Sequence, residues 1–155
     1  MDQFLGNHQN KLDSKNRVSI PAPFRQALKK LAGGQDAPTV SVILRPSHQY
    51  PCIEVWPEQY FLALSAQLDA LPEFSVERQD LATTLYGDAF PVESDKEGRI
   101  VLPENLIAYA TLSDGADIMG QGKTFQIWEP AAGARRRSEA RVNAAARQLP
   151  LPATR

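Results

Sequence analysis

The chain has 155 residues, of which 43% are hydrophobic and 23% charged, with 17 Lys and Arg against 18 Asp and Glu. That is the composition of a soluble globular protein of about one domain, with enough length to bury a core. Taken as a total, the net charge of −1 speaks against a nucleic-acid binder, no apolar run approaches the ~18 residues of a membrane helix, and the single cysteine, Cys52, leaves no internal disulfide to form.

The N-terminal stretch lacks the basic flank and apolar run of a secretory leader, so a cytoplasmic location is expected. Residues 13–17, Asp-Ser-Lys-Asn-Arg, read as a turn in which Asn16 can take a positive φ. Arg17-Val18-Ser19-Ile20 alternates as a short strand, and Pro21 fits the first turn of a helix whose stripe is Phe24, Leu28 and Leu31. A Gly-rich loop leads to a hairpin of 40–44 with 52–56. Pro57 opens an acidic helical linker: Phe61, Leu64, Leu68 and Leu71 mark one helix, and 76–85 a second with Ser75 as its N-cap. The turn, strand and proline then recur as Asp95-Lys96-Glu97-Gly98-Arg99-Ile100-Val101-Leu102-Pro103, followed by a short helix with Leu106, Ile107 and Ala110 and a hairpin of 117–119 with 124–128. The tail from 131 to 148 is Ala- and Arg-rich and helical in propensity, with too few apolar residues to dock firmly.

The recurrence is a duplication. At an offset of 82, Asp13, Arg17, Val18, Ile20 and Pro21 match Asp95, Arg99, Ile100, Leu102 and Pro103; at an offset of 72, Trp56 matches Trp128. One strand–helix–hairpin unit has exposed edges and needs a partner, which the second copy supplies within the same chain.

Charge is distributed unevenly. Residues 1–30 hold six bases and two acids, residues 54–97 two bases and ten acids, and residues 131–155 six arginines and one acid. The near-zero total is therefore a cancellation, and local potential at ~8–10 Å screening range decides what each face attracts.

The Asp-x-x-x-Arg turn is the sharpest chemical signal. The aspartate can orient the arginine, and the arginine with Lys11 and Lys15 can face a phosphate backbone or a guanine edge. A single such turn is an ordinary surface ion pair; two copies, each followed by strand and proline, are not. The Arg135-Arg136-Arg137 run reads either as non-specific phosphate contacts or as a solvated helix face. His8, His48 and Cys52 lack metal-ligand spacing, Cys52 reads as a small buried hydrophobe, and the linker carboxylates as a solvated face. No P-loop, nucleophile elbow or nucleophile–base pairing occurs, so no enzyme, cofactor, metal or small-molecule substrate is expected.

The stretch from Leu12 to Pro21 with Phe24, Arg25 and Leu28, the preceding Phe4-Leu5-Gly6, and the second motif from Asp95 to Pro103 with Leu106 resemble the MraZ family of transcriptional regulators over about residues 4–130. The resemblance implies an α+β, mainly β fold, a duplicated swapped-hairpin AbrB-like β-barrel with short helices and a helical linker. The chain is expected to divide into a first repeat at 4–57, the linker at 58–86, a second repeat at 87–130 and, outside the resemblance, the tail at 131–155. The resemblance also implies a ring-shaped homo-oligomer, nucleoid-associated, that binds double-stranded DNA at repeated promoter boxes and represses its own division and cell-wall gene cluster. The DNA contacts would fall on Arg17, Lys15 and Lys11, with Arg99 and Lys96 from the second loop; Asp13, Asp95, Asn16, Gly98, Pro21 and Pro103 would be structural. Glu97 stands where the first loop has Lys15, so the second loop is the less basic. The alternative is a protein-interaction or antitoxin-like module on the same barrel, which would ignore promoter DNA and co-purify with a partner.

Overall fold

The computed structural model describes residues 3–152. In chain order the first half contains β1 (Asn7–Lys11), β2 (Arg17–Ser19), α1 (Ala22–Leu31), β3 (Ser41–Pro46) and β4 (Ile53–Pro57). The linker is α2 (Glu58–Asp69), α3 (Val76–Ala82) and a π-helical turn at Thr83–Gly87. The second half contains β5 (Phe90–Glu93), β6 (Arg99–Val101), α4 (Glu104–Tyr109), β7 (Gly115–Gly120) and β8 (Phe125–Trp128), followed by the tail helix α5 (Pro130–Ala146).

The strands exchange between repeats. They form an antiparallel six-stranded sheet in the order β1-β7-β8-β4-β3-β5 and a two-stranded sheet of β2 with β6. The first strand of each repeat thus completes the hairpin of the other, β1 on β7 and β5 on β3. The centre of the large sheet is β4 against β8, where Glu54 faces Gln126, and the centre of the small sheet is Val18 facing Ile100. Both are matched positions of the duplication, so the local two-fold axis passes through them.

The core forms where the alternation predicts. Val18, Ile20, Ile100 and Leu102 are each 1% exposed and bury one face of the small sheet against the large one. Phe24 and Leu28 of α1 and Leu106 of α4 close the same core. Phe4, Phe24 and Phe125 meet with ring centroids 5.2, 5.0 and 4.9 Å apart, which ties the N-terminus and α1 of the first repeat to a strand of the second.

The linker is a helix pair, as expected. Ser75 accepts a hydrogen bond from the Arg78 backbone N–H at 3.2 Å as the N-cap of α3, and the Tyr86 hydroxyl meets Ser65 Oγ at 3.1 Å. Two further short strands, β1 and β5, were not expected. Asn7-His8-Gln9-Asn10-Lys11 carries no apolar alternation, and its strand exists because β7 offers it an edge.

The tail helix overturns the expectation of loose docking. It does not need large apolar residues, because it is held by polar groups and a close approach. Arg137 Nη1 donates to the carboxylate of Asp117 on β7, which is 0% exposed and also accepts from Gln9 Nε2 at 2.7 Å. Gly133 lies so near that a methyl group there would overlap Asp117 Oδ2. Arg136 stacks over the Tyr50 ring at 4.3 Å, and Ala132 packs on a small cluster of Cys52, Met119 and Trp128. This cover also explains why β7 is buried on both faces rather than alternating.

Candidate nucleic-acid interface

The two Asp–Arg turns have the same internal wiring. In the first, the Asp13 carbonyl accepts from the Asn16 N–H at 3.0 Å and the Asp13 N–H donates to the Arg17 carbonyl at 3.0 Å. Asp13 Oδ1 accepts from the backbone N–H of Lys15 at 2.9 Å and of Arg17 at 2.8 Å, and Oδ2 accepts from Arg17 Nε at 2.8 Å. In the second, Asp95 Oδ1 accepts from the N–H of Glu97 at 3.0 Å and of Arg99 at 2.9 Å, and Oδ2 from Arg99 Nε at 2.7 Å. One carboxylate therefore fixes both the turn and the arginine stem, which explains the aspartate four residues before the arginine.

The fourth residue of each turn must adopt a left-handed backbone, and Asn16 and Gly98 do so at φ 61° and 81°. Their carbonyls cross to the other repeat: Asn16 O accepts from the Leu102 N–H at 2.8 Å and Gly98 O from the Ile20 N–H at 2.9 Å. The small sheet puts Arg17 opposite Val101 and Arg99 opposite Ser19. With Val18 and Ile100 turned inward, Arg17 and Arg99 share the outer face as a diagonal pair, their Cα atoms ~7–8 Å apart. The prolines follow at once: Pro21 and Pro103 precede α1 and α4 and act as their N-caps.

The electrostatics follow this geometry. Asp13 is held below the ordinary carboxylate value first by the Arg17 backbone N–H, against some burial, and then by the Arg17 side chain and the Lys15 N–H. Asp95 is lowered in the same way by Arg99 and Glu97. Arg99 is held above its ordinary value, first by its hydrogen bond to Asp95, with smaller help from Glu97 and Asp13. The Arg17 side chain is 28% exposed and that of Arg99 34%. Among the described residues the Arg17 Nη groups have no partner, whereas Arg99 Nη2 also meets Glu97 at 3.5 Å.

The remaining candidates divide by repeat. Lys11, Lys15 and Lys96 are exposed on or beside the turns. At matched positions Lys11 becomes Glu93 and Lys15 becomes Glu97, so the first turn is basic and the second is not. Sequence reasoning missed Arg25 as part of this surface. It lies on α1 of the first repeat, donates to the Ile20 carbonyl at 2.5 Å, and packs against Gly98 of the second turn. The exchange of strands between repeats brings it there, and no local spacing announces it. The tail arginines, read as phosphate contacts or a solvated face, are split: Arg137 and Arg136 are engaged with Asp117 and Tyr50, and Arg135 is exposed. Cys52 is buried, and burial pushes its thiol up to about 12, consistent with a packing role. His8 packs edge-on to Phe24 at 5.1 Å.

Among the described residues no helix is long and apolar enough to cross a membrane. The family described as "MraZ protein, putative antitoxin-like" matches residues 3–83 and 85–146. A protein of Gluconacetobacter diazotrophicus named "Transcriptional regulator MraZ" is 59% identical over 99% of this chain and 94% of its own length. Proteins of the same name from Gluconobacter oxydans and Pelagibacter ubique are 55% and 39% identical over 93% and 83% of this chain, and 86% and 79% of their own lengths. With the family matched in both repeats and these identities running nearly end to end, the chain belongs to the MraZ family.

Proposed function

We propose that this chain is a sequence-specific DNA-binding transcriptional regulator and not an enzyme. Arg17 reads base edges from the first turn, and Lys15 and Lys11 contact phosphate beside it. Arg99 and Lys96 add a weaker contact from the second turn. The observation that carries this reading is the pair of aspartate-clamped arginines on one face of the small sheet. A clamped arginine loses little conformational freedom on binding, which suits base readout. The names of the relatives point the same way.

One protomer offers only this small basic face on a chain of net charge −1. Identical copies in a ring, each on one of several repeated promoter boxes, would add their contacts through effective concentration. The regulated target would be the chain's own division and cell-wall gene cluster, with repression as the outcome, in a cytoplasmic, nucleoid-associated protein. The test is a mobility-shift titration on the region upstream of its own gene, with the boxes intact or scrambled. Arg17→Ala is expected to abolish the preference for intact boxes, and Arg99→Ala to weaken it less. Equal binding by wild type and Arg17→Ala would sink the assignment. A protomer mass by sedimentation, with and without DNA, tests the ring.

A further inference from the structure

The apolar side chains left in solvent are not scattered over this fold. Among the described residues eleven large ones are exposed; five lie in the linker, with Phe74 at 87% and Val76 at 72%, and three in the tail, Val142, Leu149 and Leu151. Single exposed apolar residues are ordinary, but a cluster of them beside a groove marks an interaction surface. The linker cluster borders such a groove. Between the β3–β4 hairpin and the linker helices lies a space of about 400 Å³, lined by Trp56 and five linker leucines, with Arg45, His48, Glu54 and Gln67 as the polar members of its wall. Leu81 belongs to both the exposed cluster and the wall, so the two are continuous. In the second repeat α5 packs over the matched tryptophan, Trp128, and buries it, whereas Trp56 stays half-buried.

The tail has the complementary character. Gly133, Arg136 and Arg137 dock the first turns of α5, and every residue from Arg141 to Pro152 is exposed. Its end has a defined shape. Gln148 takes a φ of 50°, its N–H donates to the Ala145 carbonyl at 3.1 Å, and the Leu149 N–H donates to the Ala144 carbonyl at 3.0 Å, which closes the helix. Leu149 and Leu151 each precede a proline, which biases both to extended backbone. Pro150 and Pro152 have no N–H, so burying Leu-Pro-Leu-Pro leaves few donors to satisfy. Its carbonyls suit donors such as the Gln67 amide and the His48 ring on the groove wall. The charges match too: residues 58–86 hold five acids and one base, and the exposed part of the tail carries Arg141 and Arg147.

We propose that the tail of one copy docks in the linker groove of the next, with Leu149 and Leu151 entering the leucine-lined space and Arg141 and Arg147 facing the acidic side of α3. Such a contact is head to tail, and repeated about an axis it closes a ring. The proposal rests on the ring reading above and names the surfaces that build it.

Two charge-reversed full-length chains test it, Arg141→Glu/Arg147→Glu and Glu77→Lys/Asp80→Lys, all at exposed positions. In sedimentation across a range of protein concentrations, each alone is expected to need at least about tenfold more protein than wild type to assemble, because like charges then meet at the contact. An equal mixture gives each tail an opposite linker and is expected to assemble again near the wild-type concentration. A chain ending at Gln148 loses both leucines but keeps Arg137 on Asp117, so it should keep its circular dichroism spectrum and need about a hundredfold more protein to assemble. Assembly of that chain, or of either charge variant alone, at the wild-type concentration overturns the proposal and leaves the ring standing. So does a mixture that assembles no better than its components. A wild type that sediments as a protomer at every concentration overturns the ring and the proposal together.

Discussion

The tail helix is held by a buried charge, which makes its docking easy to test. In Arg137→Met, Asp117 keeps only Gln9 Nε2 as a recorded side-chain partner while remaining fully buried on β7. Breaking a buried ion pair by removing one member generally costs about 3–5 kcal/mol. Here the Arg137 side chain is 24% exposed, so water can approach one side of the site, and Gln9 still donates. A loss of about 2–3 kcal/mol is expected. At roughly 2–4 °C per kcal/mol for a chain of this size, the melting temperature should fall by about 5–10 °C. Differential scanning calorimetry reads this directly. Arg135→Met, at an exposed position of the same helix, should change stability by less than about 0.5 kcal/mol. Asp117→Asn/Arg137→Met should recover most of the loss, because no unpaired charge is left buried. An Arg137→Met melt within about 1 °C of wild type, outside the expected range, would refute the reasoning and return the tail to a loosely attached helix.

The clamps lead to further expectations. Asp13→Asn replaces an acceptor by a donor beside Arg17 Nε, so anisotropy titrations should show less discrimination between intact and scrambled boxes, with a salt slope steeper by up to about 1; unchanged discrimination would mean the clamp does not position Arg17. Because Asp13 and Asp95 are lowered in the fold, their stabilisation is complete above the ordinary value of 3.8 and is lost as pH falls through the lowered values. Acid titration of stability should therefore be shallower below that value in Asp13→Asn/Asp95→Asn than in wild type, and equal slopes would contradict the assignment. Gly98→Ala forces a side chain into a φ of 81° and into Arg25, and should cost about 1–3 kcal/mol in chemical denaturation. Asn16→Gly, at φ 61°, should stay within about 0.5 kcal/mol of wild type, since both residues accept that backbone.

What the sequence made legible follows a physical division. The small-sheet strands, α1, α4 and both hairpins could be read because burial on one face imposes a period, as in Val18 and Ile20 or Phe24 and Leu28. The turns could be read because Asp13, Asn16, Asp95 and Gly98 satisfy strictly local requirements of hydrogen bonding and φ. What escaped is non-local. β1 is a polar strand and β5 a four-residue one, and both exist through the edges they complete. The tail docks through Gly133, Arg136 and Arg137, whose partners Tyr50 and Asp117 are distant in sequence, so hydrophobic counting underrated it. Arg45 and Glu54 form a buried ion pair only because β3 pairs with β4.

The same non-locality predicts an asymmetry within the proposed DNA face. The backbone is two-fold, but the charges are not: Lys11 and Lys15 of the first turn are matched by Glu93 and Glu97 of the second. The first repeat also supplies Arg25, whose match in the second repeat is Ile107, a residue packed against the core. Strand exchange lays Arg25 over Gly98 beside Arg99, so a base encoded in the first repeat offsets the acidic character of the second turn. Arg25 and Arg99 should therefore act as one unit, while Arg25 and Arg17 should act apart. In binding titrations, the losses from Arg25→Ala and Arg99→Ala should couple by at least about 0.5 kcal/mol, and those from Arg25→Ala and Arg17→Ala should add within about 0.3–0.5 kcal/mol. The reverse pattern, coupling to Arg17 with additivity to Arg99, would show that Arg25 serves its own repeat and that the exchange of strands has no electrostatic role.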